Sequence, residues 1–234
     1  MNNNFFTFFF PTRAGSKRVI KKNVKKFAGI DGGITAIKLA QLLQIDFINE
    51  IVVSTDDVDV MGIAAKFNDS RIKIIERPTE LCLSTTLVED LIKYVPTVCS
   101  NEHIFWVHAT TPLCNAEVYK KALNIYHEFV IEKKQYDSLH SVTKFQKFLW
   151  SPEEATFTNW DRNNIKYPNS QDLKVLYEVN HAFYINSKTN FQQYTDRIGL
   201  NPYCFELNAI QAIDIDWEED FLIAEAVYEK INRL

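Results

Sequence analysis

Two short stretches of the sequence combine residue types that could carry out chemistry. Residues 12–23, TRAGSKRVIKKN, follow an apolar run and crowd basic side chains around Gly15. Residues 213–220, IDIDWEED, place Asp214 and Asp216 two positions apart. A compact group of cations can hold a polyphosphate, and carboxylate pairs suit Mg²⁺, which prefers hard oxygen ligands. The two stretches together indicate phosphate chemistry.

The positive charge of the chain is concentrated near its beginning. Seven of the 26 lysines and arginines, and none of the 30 acidic residues, fall before position 27. This local reversal of sign predicts an anion held in one place, with a solvated basic loop as the alternative. The charge forms one compact loop without interleaved aromatic residues, which argues against a nucleic-acid-binding surface.

The basic loop has the elements of a triphosphate site. The backbone turns at Gly15, so that main-chain N–H groups and the side chains of Arg13, Ser16 and Lys17 can converge on one polyphosphate. Lysine supplies a point charge and arginine a planar fork, which suit a leaving pyrophosphate. The loop is neither a Walker A sequence nor a GxGxxG fingerprint.

The acidic stretch has an extended pattern just before a helix. Asp214 and Asp216 leave the same face of the chain, and Ile213 and Ile215 alternate toward the core. Two carboxylates on one face make a clamp for Mg²⁺. The alternative is that Asp216 caps the helix that begins at Trp217, and the two roles are compatible.

Length and composition set the frame for these motifs. With 234 residues, 46% of them hydrophobic and 24% charged, the chain predicts one domain over residues 1–234. The four cysteines form no CxxC pair and the five histidines show no ligand spacing, which excludes a disulfide framework or a structural zinc site. The apolar run at residues 5–10 is too short to span a bilayer. We therefore expect a cytoplasmic protein without a membrane segment.

Apolar, β-rich runs alternate with segments of helical period. The predicted strands are Phe5–Phe10, Glu50–Ser54, Arg71–Ile75, His103–Val107, Ser138–Val142 and Ala182–Ile185. The predicted helices are Ile34–Gln44, Val58–Phe67, Thr86–Val95, Ala116–Glu132 and Trp217–Ile231. This alternation predicts an α/β fold with a doubly wound, mainly parallel sheet. Ligands of such sheets bind beyond the carboxyl ends of strands, where the basic loop, the Thr55–Asp57 corner and the stretch after Val107 would lie.

Other segments are given structural interpretations. Lys144–Tyr177 is rich in Trp, Asn and Pro without helical period, and it predicts an inserted arm that contacts another subunit. Asp56 and Asp57 end a strand and are expected to cap the next helix. Tyr119 and Tyr126 are expected in the core, and His181 in a pocket wall.

The basic loop resembles that of a known family. Its pattern RxGSKxxxxKN, at residues 13–23, is similar to the nucleotide-binding loop of the acylneuraminate cytidylyltransferases, or CMP-sialic acid synthetases. Five further blocks resemble the family in the same order: IVVSTDD (51–57), ERPTEL (76–81), HATTPL (108–113), SQDLKVLYEVNHAFYI (170–185) and IDIDWEEDF (213–221). Collinear blocks over nearly the whole chain make the resemblance specific.

The resemblance implies an activity. The fold would be of the nucleotide-diphospho-sugar transferase type, with residues 144–177 as a dimerisation arm of a homodimer. The activity would be Mg²⁺-dependent transfer of CMP from CTP to an acidic 2-keto sugar, an N-acylneuraminate or a related nonulosonate, with release of pyrophosphate. Two alternatives remain open: a same-fold nucleotidyltransferase acting on a Kdo-type sugar or a phosphonate, and a non-catalytic nucleotide-binding homologue.

The resemblance also assigns roles to residues. CTP would contact Arg13, Ser16, Lys17 and Lys22 through its phosphates and Asn23 and Arg77 through its ribose and base. Catalysis would rest on Lys17, Arg13, Asp214 and Asp216, and the last two would also bind Mg²⁺. The acceptor would contact His108, Thr110, Gln171 and Asn180. Because Pro78 restrains the backbone of Arg77 to an extended form, the direction of that guanidinium is fixed locally.

The chain departs from the family pattern on the acceptor side. His108 stands for the usual Gln, Cys114 and Ser170 for Arg, Ser84 for Asp, and His181 for Gly. Losing two arginines leaves the sugar carboxylate without a fork-shaped partner, for which Lys144, Lys147 or Lys174 could substitute. The identity of the acceptor therefore stays open among N-acetylneuraminate, legionaminate, pseudaminate and other acidic sugars.

Overall fold

A computed structural model describes residues 6–232. Its nine strands are β1 (Phe6–Pro11), β2 (Ile51–Thr55), β3 (Ile72–Glu76), β4 (His103–Val107), β5 (Ser138–Phe145), β6 (Trp150–Ser151), β7 (Thr156–Phe157), β8 (Leu176–Ser187) and β9 (Pro202–Leu207). Seven of them form one sheet in the order β3-β2-β1-β4-β8-β5-β9. β8 runs antiparallel to both neighbours, and the other pairings in this sheet are parallel. The predicted mainly parallel sheet is confirmed.

Helices cover both faces of the sheet. They are α1 (Gly33–Leu43), α2 (Val58–Lys66), α3 (Val88–Val98), α4 (Ala116–Tyr126), α5 (Lys188–Tyr194) and α6 (Glu218–Asn232), and α4 continues as a π-helical turn over His127–Glu132. Side chains of α1, α2, α4 and α6 pack in one hydrophobic cluster, and those of α3 and α5 in another. The fold is therefore doubly wound, as predicted. Within residues 6–232, no helix has both the length and the apolar character that crossing a bilayer requires.

The apolar run at the start of the described chain is explained by burial on both sides. Phe8 and Phe10 pack in the cluster beneath α1 and α4, whereas Phe9 packs against Trp106 on the opposite face. A central parallel strand is covered on both faces, so its sequence is hydrophobic at consecutive positions instead of at alternate ones. Tyr119 and Tyr126 are fully buried, which confirms their expected place in the core. Phe5, the first residue of the predicted strand, lies outside the described residues.

The region after β4 differs most from the sequence prediction. β8 extends from Leu176 to Ser187, well beyond the predicted Ala182–Ile185. α5 and β9 were not predicted, because α5 has only seven residues and β9 is an edge strand that starts at Pro202. Edge strands tolerate proline and need no continuous apolar run, so this strand has a weak sequence signal.

The predicted arm is partly strand and partly loop. Lys144 belongs to β5 and Tyr177 to β8, so the segment outside the main sheet is residues 146–175, which contains the β6–β7 hairpin. Asn159 ties it together, donating to the carbonyl of Lys147 at 2.8 Å and accepting from the Leu149 amide at 3.3 Å. That the arm mediates dimerisation stays a prediction.

Glu50 is a buried carboxylate that should make stability depend on pH. It is 3% exposed and accepts hydrogen bonds from Ser100 (2.6 and 2.8 Å), Lys73 and Thr7. Burial alone would raise the pKa of Glu50, but these donors lower it to about 2. A carboxyl whose folded pKa lies below its unfolded pKa stabilises the fold above the unfolded value, and the contribution is lost as the pH falls toward 2.

We expect Glu50→Gln to lower the free energy of unfolding at pH 7 by on the order of 2 kcal/mol. The difference from wild type should shrink between pH 5 and pH 2, as measured by urea unfolding at a series of pH values. Glu128→Gln is the matched control, because Glu128 pairs with Lys133 at the surface with about half of each side chain exposed. A difference that stays constant down to pH 3 would contradict this account.

Candidate functional site

The basic loop lies where the strand order reverses. β1 pairs with β2 on one side and β4 on the other, so residues 12–23 and 108–115 leave neighbouring strand ends at the switch point. The Thr12 amide donates to the Ser54 carbonyl at 3.1 Å, and the Ala14 amide to Asp56 Oδ1 at 2.8 Å. Gly15 then takes a φ of +78°, a conformation that favours glycine.

The two aspartates after β2 divide their roles. Asp57 caps α2 by accepting from the amide of Asp59 at 3.0 Å, as predicted. The expectation that Asp56 also caps this helix is wrong, because its carboxylate accepts from Ala14 and so holds the start of the basic loop. Side-chain acceptors for loop amides are formed by residues distant in sequence, which local capping rules do not capture.

A cavity of about 430 Å³ opens in front of the basic loop. The predicted CTP ligands that line it are Arg13, Ser16, Lys17, Lys22 and Asn23, and Ser84 also belongs to the lining. A second cavity of about 410 Å³, between α1, α4 and α6, has no lysine or arginine in its lining. The first cavity therefore offers positive charge to an anion, and the second does not.

Most of the basic charge is neutralised by carboxylates elsewhere in the chain. The pairs are Arg18–Asp216 (2.8 Å), Lys21–Asp59 (3.0 Å), Lys22–Asp216 (3.6 Å), Lys26–Asp31 (3.2 Å) and Lys25–Glu218. Across residues 6–232, Arg13 and Lys17 are the two members of the basic stretch without a carboxylate partner. Both line the cavity, so the uncompensated charge is where an anion would bind.

Arg13 and Asn23 hold the loop in shape. Arg13 Nη1 donates to the carbonyls of Cys82 and Leu83 at 3.2 and 3.0 Å, which links the loop to the segment that carries Ser84. Asn23 Nδ2 donates to the carbonyl of Arg13 at 3.2 Å. Lys17 is exposed and makes no hydrogen bond or ion pair with the described residues. Its ammonium is therefore the cation most available to a ligand.

Arg77 is not part of the cavity lining. It is 5% exposed, and its guanidinium donates to the carbonyl of Ser54 at 2.5 Å and to the hydroxyl of Ser54 at 3.2 Å. Burial lowers the pKa of this guanidinium. In this conformation Arg77 supports the end of β2 beside the basic loop, and its contact with ribose or base stays a prediction.

The acidic pair is built as the alternation predicted. Ile215 is fully buried, and its amide donates to the carbonyl of Thr110 at 2.9 Å, which fixes the segment against the loop after β4. Burial raises the pKa of Asp214, while a hydrogen bond from Thr110 lowers it and the neighbouring Asp216 raises it. Two carboxylates close enough to repel each other favour a cation between them.

Asp216 does not cap the final helix. Asp220 Oδ2 takes that role, accepting from the amides of Asp216 and Trp217 at 3.0 and 2.8 Å. The side chain of Asp216 instead accepts both branches of the Arg18 guanidinium, at 3.1 and 2.8 Å. The capping alternative is therefore wrong for Asp216, whose carboxylate faces the basic loop.

Asp214 and Asp216 could hold Mg²⁺ together with the phosphate oxygens of a substrate. No group of three or more potential metal ligands occurs within residues 6–232. Mg²⁺ is commonly held by one or two carboxylates together with substrate phosphates, and it keeps several waters. Asp214 and Asp216 supply the carboxylates. Lys22, which donates to the carbonyl of Ile215 at 2.5 Å, joins them to the loop expected to hold the phosphates.

The predicted acceptor residues are only partly brought together. His108 and Thr110 follow β4, and Asn180 lies in the neighbouring β8. The amide of Asn180 is used within the sheet, with Ser141 at 2.6 Å and Thr143 at 2.9 Å. Gln171 is exposed in the arm, and its carbonyl accepts from Gln146 Nε2 at 2.9 Å. Asn180 therefore shapes the strand end, and its contact with an acceptor stays a prediction.

The two histidines on this side have distinct environments. Burial, with a smaller effect of Arg197, lowers the pKa of His108 to about 3, so the ring is neutral at pH 7. His181 has a φ of +56°, in the left-handed region that glycine enters most easily and that histidine enters more readily than most larger residues. Its Nδ1 contacts the hydroxyl of Tyr184 at 2.5 Å.

Lys38 is a supporting residue that sequence reasoning missed. It is fully buried, and its ammonium donates to the carbonyls of Thr111 and Cys114 at 2.9 Å each and to the hydroxyl of Tyr119. Burial lowers its pKa to about 8. A lysine on the apolar face of α1 was the available signal, because a buried lysine must find such acceptors. It fixes the loop that carries His108 and Thr110.

The chain matches a known family and several named proteins. Residues 7–234 match the family model described as cytidylyltransferase. The pseudaminic acid cytidylyltransferase of Campylobacter jejuni (strain 81-176) is 26% identical over 229 residues, which is 95% of each chain. The N-acylneuraminate cytidylyltransferase of Escherichia coli O18:K1:H7 is 25% identical, over 95% of this chain and 52% of its own.

Solved structures show the same fold. A CMP:2-keto-3-deoxy-manno-octonic acid synthetase complexed with CTP superposes with a TM-score of 0.67, covering 97% of this chain and 99% of its own at 14% identity. A 4-diphosphocytidyl-2C-methyl-D-erythritol synthase from Anaerococcus prevotii also has a TM-score of 0.67, at 14% identity and 97% coverage of each chain. The resemblance noted in the sequence is thereby confirmed, and the chain belongs to the cytidylyltransferase family of nucleotidyltransferases.

Proposed function

We propose that this protein transfers CMP from CTP to the anomeric hydroxyl of a nonulosonate, an acidic 2-keto sugar, and releases pyrophosphate. The observation that carries the proposal is that the two uncompensated cations of the basic stretch, Arg13 and Lys17, line one cavity beside the Asp214–Asp216 pair. The names of the relatives support the acceptor class, because they act on pseudaminic acid and N-acylneuraminate.

The basic loop would bind and stabilise the phosphates. The acceptor oxygen attacks the α-phosphorus of CTP in line, the bond to the bridging oxygen of pyrophosphate breaks, and the hydroxyl proton passes to solvent water. Negative charge grows on the leaving pyrophosphate, where Lys17 offers a point charge and Arg13 a fork already oriented by Cys82 and Leu83. Catalysis is then mainly positioning and charge stabilisation.

The acidic pair would hold the metal. Asp214 and Asp216 provide oxygen ligands for Mg²⁺, which when bound supplies positive charge to the phosphate oxygens. Lys22 keeps the pair beside the loop through the Ile215 carbonyl, and Thr110 fixes Asp214 from the other side. Because the ring of His108 is neutral, it can donate a hydrogen bond to the acceptor sugar or accept one from it without adding charge.

The direct test measures pyrophosphate release by the purified protein with CTP and Mg²⁺. The acceptors are pseudaminate, legionaminate, N-acetylneuraminate and Kdo, and ATP, GTP and UTP replace CTP as controls. We expect release with CTP and a nonulosonate. Release with Kdo alone would favour the same-fold alternative, and CTP binding without release from any acceptor would favour the non-catalytic one.

We also propose that the protein forms a homodimer through the arm. The support is a set of large apolar side chains exposed within residues 146–175, among them Trp150 at 48% and Tyr167 at 75% exposure. Such exposure is typical of a surface covered by another chain. Light scattering of the purified protein would measure the mass, and a monomer would contradict the proposal.

A further inference from the structure

Arg197 lies on a rigid aromatic floor in the loop between α5 and β9. Its Cζ is 4.2 Å from the ring centre of Tyr184 and 5.2 Å from that of Trp106. These two residues pair directly across β8 and β4, so the floor is part of the central sheet. The carbonyl of Arg197 accepts from Asn186 Nδ2 at 3.4 Å. Cation–π contact and this anchor hold the side chain in one place.

The guanidinium of Arg197 forms no ion pair among residues 6–232, and the carboxylate of Asp196 acts on it only from beyond ion-pair distance. The guanidinium also makes no hydrogen bond with the described residues, and the Asp196 carboxylate accepts from the amide of Ile198 at 3.0 Å. Burial lowers the pKa of Arg197, whereas Tyr184 and Asp196 raise it to a smaller extent. A half-buried guanidinium with its donors unused is suited to a carboxylate, whose two oxygens match the fork.

The aromatic floor leads directly to the acceptor side of the site. The ring of Trp106 stacks on that of His108, with centroids 6.1 Å apart and planes at 19°. Tyr184 contacts His181 through its hydroxyl. Arg197 contributes, after burial, to the lowered pKa of both histidines. It is absent from the lining of the cavity in front of the basic loop, so its charge is separate from the phosphate-binding cations.

Polar atoms without partners cluster around the same floor. Trp106 Nε1, His108 Nε2 and His140 Nδ1 are buried and have no hydrogen-bond partner in the part of the chain that is described. The ring of His140 stacks on Tyr184 with centroids 6.3 Å apart. Folded proteins rarely leave buried polar groups unsatisfied, and each case calls for an explanation such as a binding role. Their concentration beside Arg197 favours recognition of a polar ligand over simple packing.

We infer that Arg197 binds the carboxylate of the acceptor sugar acid. The inference rests on the proposed function. In it, Arg197 supplies the fork-shaped guanidinium that is missing at Cys114 and Ser170. Cys114 is fully buried against α1, and Ser170 lies in the arm. The lysines considered from the sequence offer a point charge instead of a fork, and Lys147 is stacked over the ring of Phe145 at 5.7 Å.

The test compares steady-state kinetics of Arg197→Met and Arg197→Lys with wild type. We expect Arg197→Met to raise the KM for the sugar acid about 10- to 100-fold and to leave the KM for CTP unchanged. Arg197→Lys keeps the charge but not the planar fork, so its KM for the sugar acid should lie between those of wild type and Arg197→Met. Arg162→Met is the matched control, because Arg162 is exposed in the arm. For wild type, the methyl ester of the sugar acid should be a much poorer acceptor than the acid itself. For Arg197→Met, the ester and the acid should be similar acceptors.

The outcomes separate this inference from the proposed function. An inactive wild type with every acceptor would overturn both. An active wild type with an unchanged KM for the sugar acid in Arg197→Met, or with an equal rise in the KM for CTP, would overturn the role of Arg197 alone. CTP should raise the melting temperature of a correctly folded Arg197→Met protein as it does for wild type. If it does not, two other measurements decide: the KM of Arg197→Lys for the sugar acid, and the preference of wild type for the acid over its ester. An unchanged KM together with no preference would refute the inference.

Discussion

Replacing Lys17 with alanine is expected to lower kcat by about 100- to 1,000-fold, the effect of removing one preorganised donor from a developing negative charge. Lys17 is the one lysine of the stretch that lines the cavity without a carboxylate partner among residues 6–232. The charge of Lys17 is therefore not compensated within the described part of the fold and is available to a ligand. Pyrophosphate release with saturating CTP and acceptor measures the change.

The Lys17 prediction has a control within the same stretch. Lys26 pairs with Asp31 at 3.2 Å, and both side chains are largely exposed, so Lys26→Ala should keep wild-type turnover. Because Lys17 makes no hydrogen bond or ion pair with the described residues, Lys17→Ala should unfold at the wild-type temperature. Near-normal turnover in a folded Lys17→Ala protein would remove Lys17 from the mechanism, and equal losses in both variants would indicate a general effect of charge.

The basic stretch shows how far residue types alone can lead. Its composition correctly predicted a cluster of cations after β1, but it could not tell which of them were available. That depends on carboxylates far along the chain: Lys21 meets Asp59, 38 positions away, and Arg18 meets Asp216, 198 positions away. The sequence shows both partners but not their distance in space.

The limits of the fold prediction have the same origin. Central strands such as β1 and β4 are buried on both faces and therefore carry a strong local signal. β9 is an edge strand whose place is fixed by pairing with β5, and a pairing between distant segments leaves little trace in either one. Arg197 could not be predicted for the same reason. A single arginine in a short loop carries no sequence pattern, and its contacts with Trp106 and Tyr184 appear only in the structure.

The acidic pair carries the other large expected effect. Asp216→Asn should lower kcat by about 100- to 10,000-fold, because the amide keeps the shape of the side chain but loses the charge that we propose holds Mg²⁺. Asp216 is also paired with Arg18 in a bidentate contact at 2.8 and 3.1 Å. Both side chains of this pair are about half exposed, so its loss should change the free energy of unfolding little. A large loss of turnover would then reflect the metal and not the fold.

A titration with Mg²⁺ separates these effects. For wild type, pyrophosphate release should saturate with Mg²⁺, whereas Asp216→Asn should need a much higher concentration and still not reach the wild-type rate. Asp59→Asn is the matched control, because Asp59 forms a surface pair with Lys21 at 3.0 Å and lies at the start of α2. Arg18→Ala removes the other half of the pair with Asp216 and should keep the Mg²⁺ dependence of wild type, since it leaves both carboxylates in place. If Asp216→Asn and Arg18→Ala lose turnover equally, the Arg18–Asp216 contact itself is what matters, and Asp216 is not a metal ligand.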